Sequence, residues 1–138
     1  MDKIKLIALV VSKKHEGFYK HTFTPGEDGA IYPSAASGGY VSGVWNTVDA
    51  IRAYDPHVAA VVVTPWDDDA GKYEVCLSVS CSTIILLKAK GLTFALEGFW
   101  EQKRDSRHEF SCVIPESEIA SRLDVIQARV QHWNDHLD

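Results

Sequence analysis

Polar and apolar residues alternate from Glu74 to Cys81. Val75, Leu77, Val79 and Cys81 point one way, and Glu74, Cys76, Ser78 and Ser80 the other. A period of two over eight residues predicts a half-buried strand. Thr83, Ile85 and Leu87 carry the alternation further, so residues 82–91 can be read as the continuation of one long strand turning at Lys88-Ala89-Lys90-Gly91. They can also be read as a short helix over 82–90. Ser80 or Ser82 would cap its start, Gly91 would end it in the left-handed conformation, and Lys88 and Lys90 would face its negative end. The two end signals favour the helix, although Ile84 and Ile85 are strand formers. Leu92 to Trp100 then reads as a strand with Leu92, Phe94, Leu96 and Trp100 on one face and a bulge at Gly98.

The remaining elements can be placed around this stretch. Lys3 to Val11 is apolar without alternation, as expected of a strand covered on both faces. Residues 12–41 read as a long irregular loop, in which FYKHTFT offers a short strand and the proline- and glycine-containing run after it offers none. Ser42 to Tyr54 fits a helix with Val44, Val48, Ile51 and Tyr54 on one side, Ser42 as cap and Asp55-Pro56 as stop. Val58 to Thr64 is an apolar strand. Pro65 to Lys72 is a turn, predicting a hairpin into the alternating strand. After Trp100 comes a charged linker, EQKRDSR, then a strand from His108 to Ile114. Pro115 opens a long helix over 115–137, with Ile119, Leu123, Ile126, Val130, Trp133 and Leu137 as its stripe.

This order predicts a single α+β domain over 1–138. Its antiparallel sheet would have helices mainly on one face: a ferredoxin-like, split βαββαβ core, extended by a C-terminal strand and a long amphipathic helix. At 138 residues the chain can bury a sizeable core unaided. The formal charge of -5 argues against a general attraction to nucleic acid or anionic lipid. The small basic cluster Lys103, Arg104 and Arg107 is interleaved with Glu101, Asp105 and Glu109. The three cysteines, Cys76, Cys81 and Cys112, form no C-x-x-C pair and lie in apolar contexts, as buried thiols of a reducing compartment do. The longest apolar run, Leu6 to Val11, is too short to span a membrane. The expected location is the cytoplasm.

Candidate chemistry is sparse. Asp67-Asp68-Asp69 lacks the alternating acids and distant bidentate Glu of a calcium loop and reads as a solvated hairpin tip. His132 and His136 share a helix face, but zinc needs further ligands. Neither set predicts a metal, and no cofactor motif is present. Gly38, Gly39, Ser42 and Gly43 form a glycine-rich approach to a helix, a backbone arrangement that can hold an anion. They match neither a Walker loop nor a nucleophile elbow. Ser42 with His57 and an Asp, or Cys112 with His108, could be assembled into catalytic sets. Satisfied structural histidines are the better explanation of each, so no catalytic residue is assigned and the reading leans away from an enzyme. Trp66 stands apart, set between Pro65 and three aspartates where a core role is hard to arrange.

In its small size, acidic balance, free thiols and lack of a motif, the chain resembles the bacterial immunity proteins that neutralise toxins. The resemblance is one of composition. It implies a protein partner, a basic enzyme or toxin such as a nuclease, met through Trp66, Asp67, Asp68, Asp69 and Tyr73. The first alternative is a small-molecule or anion-binding domain or enzyme using loop 37–43. The second is a structural homodimer through an exposed sheet edge.

Overall fold

The computed structural model describes residues 4–12, 17–21, 31–33, 39–66 and 71–137, with side chains described for 4–9, 44–66 and 71–137. A seven-stranded mixed sheet runs in the order β3-β2-β1-β4-β5-β7-β6. Its strands are β1 Leu6–Ser12, β2 Gly17–His21, β3 Ile31–Pro33, β4 Ala59–Pro65, β5 Lys72–Ser80, β6 Trp100–Arg104 and β7 Arg107–Pro115. The helices are α1 Gly39–Tyr54, α2 Cys81–Ala89 and α3 Ile119–His136.

The α+β class holds, and the ferredoxin-like order does not. A split arrangement would set another strand between the two expected on either side of the first helix, Lys3 to Val11 and Val58 to Thr64. Here β1 and β4 are direct neighbours and parallel, with Leu9 beside Val62 and Ala8 beside Val61. Composition explains the placement. Neither strand has a polar side to show, and parallel neighbours are stable where both faces are covered. Ala8, Leu9 and every residue from Ala59 to Val63 are buried. All the other strand pairs are antiparallel.

Helices cover both faces, which corrects the one-sided expectation. On one face α2 and α3 bury Ile84, Leu87, Leu123, Ile126, Val130 and Trp133 against Val61, Val63, Val75, Leu77 and Phe110. On the other, α1 lays Val44 and Val48 on Leu9, Ala60 and Val62. The stripe on α3 therefore packs as its periodicity predicts. At the far end of α3 the Ile4 N–H donates to Asn134 Oδ1 at 2.7 Å, and Asn134 Nδ2 donates to the Ile4 carbonyl at 2.9 Å. Tyr54 leaves the α1 stripe and is 94% exposed.

The ambiguous segment is the helix α2. Ser80 caps it by accepting from the Thr83 N–H at 3.1 Å. At the other end Leu92 N donates to the Leu87 carbonyl and Gly91 N to that of Lys88, with Gly91 at φ +69°. This paired hydrogen-bond pattern is the Schellman stop.

Four boundaries move. The span 12–41 is not one loop: β2 and β3 pair within it and extend the sheet beyond β1, and α1 already starts at Gly39. Leu92 to Phe99 is irregular, and it packs Leu92, Phe94, Leu96 and Phe99 into the core without strand pairing. The charged EQKRDSR segment supplies a strand, β6, and a two-residue turn into β7 at Asp105-Ser106. Backbone pairing at an edge does not require apolar side chains, and all five β6 residues are exposed. The helix expected from Pro115 is preceded by a 3-10 turn at Glu116–Glu118, with Pro115 closing β7.

Candidate functional site

Strand registry places the polar residues of β5, β6 and β7 together on the α1 side of the sheet. Glu74 stands opposite Val113, Cys76 opposite Ser111, and Ser78 opposite Glu109. Across the next ladder Trp100 meets Ser111, Gln102 meets Glu109, and Arg104 meets Arg107. Directly opposed residues share a face. The α1 side is thus apolar beneath the helix and polar beyond it.

The inner part of this polar half is buried and bonded. Ser78, Glu109 and Ser111 have almost no exposure. Glu109 Oε1 accepts from Gln102 Nε2 at 3.1 Å and lies 3.5 Å from Arg104 Nε. Arg52 reaches from α1 to the end of β5. Its Nε donates to the Val58 carbonyl at 3.0 Å, its Nη1 to Ser78 Oγ at 3.0 Å, and its Nη2 to the Ser78 carbonyl. Burial lowers its pKa to about 10, against the opposing pull of Asp49. That value still leaves it charged at neutral pH. Arg107 lies over the Trp45 ring at 4.2 Å, and its Nη1 is buried with no hydrogen-bond partner among the described residues.

Toward β6 and the β4–β5 turn the face opens. Trp100 is 46% exposed and Trp66 38%. Trp66 N donates to the Lys72 carbonyl at 2.9 Å, which continues the β4–β5 ladder. Strand alternation then carries the Trp66 side chain to the side of Thr64 and Glu74. Glu74 is half-buried on β5, which lies between the strands that carry the two tryptophans. Its pKa is raised by burial first and by Glu109 second, while Arg104 pulls it down.

Beside this face, a cavity of about 480 Å³ is lined by Asp49, Arg52 and Ala53 of α1, Pro56, Ser80, Cys81 and Ser82 at the start of α2, and Ser106. The Ser80 and Ser82 hydroxyls there are already engaged. Ser80 Oγ is 3.0 Å from Ser82 Oγ and 2.8 Å from Thr83 Oγ1.

The residues singled out from sequence separate. Trp66 opens onto the polar half-face. Tyr73 lies across from Ile114 and packs against the α2/α3 core, on the opposite face from Glu74. Asp67, Asp68, Asp69 and Gly38 lie outside the described residues. Gly39, Ser42 and Gly43 lie in the first turns of α1, so Ser42 is inside the helix and does not cap it. His57 Nδ1 is 2.8 Å from Thr83 Oγ1. His108 Nε2 is 3.2 Å from Glu101 Oε2. The Cys112 thiol is pushed up by burial, the reverse of what a nucleophile needs. Burial pushes Cys76 up to about 12. His136 Nδ1 donates to the His132 carbonyl at 2.8 Å, which ties up one ring nitrogen of that pair.

Sequence reasoning missed the Glu109–Ser111–Cys76–Ser78 group. Its signal was present: Glu109 and Ser111 alternate in one strand, Glu74, Cys76 and Ser78 in another. Only the pairing of β5 with β7 makes them neighbours. No protein-family model matches the chain, and neither a curated protein nor a solved structure matches it. Among the described residues, no helix is long and apolar enough to cross a membrane.

Proposed function

We propose that the chain is a small acidic protein-binding domain of the inhibitor kind, which docks a basic partner enzyme or toxin on the open end of its α1-side face. One observation carries this reading: Trp66 and Trp100, 38% and 46% exposed, lie on the same side of the sheet as Glu74. Tryptophan concentrates binding energy because it buries a large rigid surface at small entropic cost. Three aspartates follow Trp66 in sequence, and the whole chain carries -5, so a basic surface would be drawn to it. Tyr73, on the other face, supports the strand that carries Glu74.

The test is affinity capture from the native host with wild type, Trp66→Ala and Trp100→Ala. A basic partner should be retained by wild type and released by salt. Each tryptophan variant should bind it more weakly by about 2 kcal/mol, with the fold intact by circular dichroism. Capture of that partner at wild-type strength by both variants would remove this face from the reading.

A second reading moves the anion site from residues 37–43 to the cavity at the start of α2, supported by the Arg52 guanidinium in its wall. Inorganic phosphate should then raise the melting temperature of wild type and leave Arg52→Gln unmoved.

A further inference from the structure

The sheet ends differently at its two edges. β3 has three residues and finishes in Pro33, which cannot donate to a further strand. β6 has five residues, no proline, and every residue exposed. Its sequence is Trp100-Glu101-Gln102-Lys103-Arg104. Charged residues on an edge normally repel an incoming strand. These particular charges do so in every antiparallel self-register but one.

Backbone geometry limits the choice. The two-residue turn makes Arg104 and Arg107 the closing pair of the β6–β7 hairpin, so Arg104, Gln102 and Trp100 turn their peptide groups toward β7. Glu101 and Lys103 turn theirs outward. A second β6 must therefore oppose outward residues to outward residues. One such register puts Glu101 against Glu101. Another puts Lys103 against Lys103 and Glu101 against Asp105. Both set like charges face to face. The third is centred on Gln102. It pairs Glu101 with Lys103 twice, sets the two Gln102 amides against each other, and brings Trp100 opposite Arg104. Opposite charges and an arginine over an indole are favourable cross-strand pairs. Arg104 can still reach Glu109 through its edge while offering its flat face to the ring.

We infer that β6 is a self-recognition edge: two copies of this chain join antiparallel about a two-fold axis at Gln102, making one continuous sheet. A single patch serves both partners, so the contact closes at two copies and does not propagate. The open half-faces bearing Trp100 become adjacent across the axis. This inference does not rest on the proposed function; it concerns the backbone edge, and the tryptophan variants above leave its charge pairs in place.

Sedimentation equilibrium across a concentration series tests it. Wild type should be a monomer–dimer system. Lys103→Glu and Glu101→Lys each convert both symmetric pairs to like charges, and each should weaken the dimer roughly tenfold or more. The double variant Glu101→Lys/Lys103→Glu should restore it, which a role in monomer folding would not do. Gln102→Cys should form a covalent dimer under oxidised glutathione, because across this axis the two Cα atoms lie within disulfide range. A wild type that stays monomeric at every concentration overturns the inference, as do single variants that dimerise like wild type or a double variant that fails to recover.

Discussion

On the α2/α3 side of the sheet, β4, β5 and β7 present Val61, Val63, Val75, Leu77, Phe110 and Cys112 to two helices, and the result is a continuous apolar core. On the α1 side the same strands change character midway. Leu9, Ala60 and Val62 lie beneath Val44 and Val48, while Ser78, Glu109 and Ser111, one and two strands further on, are buried as polar groups. The first face is held by area removed from water. The second must satisfy every donor and acceptor it buries, since an unmade hydrogen bond there costs more than a made one contributes. Burial alone does not distinguish these faces. The bonding of what is buried does, and the face with partners to satisfy is also the one that opens toward Trp66 and Trp100.

Three measurements test this contrast. The largest effect belongs to the apolar face. Leu123→Ala should destabilise the domain by about 2–5 kcal/mol in a denaturant melt, the loss for a buried leucine leaving a cavity. A loss below about half a kcal/mol would mean that α3 does not close this core. Next comes the polar half. Glu109→Ala removes the acceptor for Gln102 and the partner of Arg104, and should cost about 2 kcal/mol. If it costs nothing, the group is decorative and the faces differ only in composition.

The smallest effect is pH-dependent. Glu74 has its pKa raised by burial, so the folded state holds its proton more tightly than the unfolded chain. Its contribution is fully present below the unfolded value of 4.5 and is lost as pH rises through the higher folded value. Glu74→Gln removes that loss. The variant should melt slightly above wild type at neutral pH, and the gap should close as pH falls toward the unfolded value. A gap that widens on acidification would reverse the assigned sign.

Some of this architecture is readable in the sequence. The α3 stripe, the β4–β5 hairpin and the ends of α2 all rest on local signals: periodicity, turn residues and a serine-to-glycine frame. The strand order is not readable, because β1 and β4 are nearly featureless apolar runs that could pair in several ways. β6 is hidden for the opposite reason. An edge strand shows its side chains to water, and EQKR looks like a linker until its backbone finds β7. The half-buried reading of β5 fails in an instructive way. Cys76 and Ser78 are buried along with Val75 and Leu77, and only the registry with β7 shows what satisfies them. Trp66 is visible in sequence as an exposed aromatic in a turn. Its companion Trp100 reads there as a core-face residue ending a strand, whereas in the fold it begins one and faces solvent.

The bonds between Asn134 and Ile4 also set a schedule. A ribosome releases Ile4 130 residues ahead of Asn134. At ordinary elongation rates the interval is on the order of ten seconds. β4, the parallel neighbour of β1, arrives about midway through it, and the α3 stripe that seals the core arrives last. β1 therefore emerges well before α3 completes its surroundings. Such an order favours a folding step that waits for α3, and it leaves β1 open to chaperones through that interval.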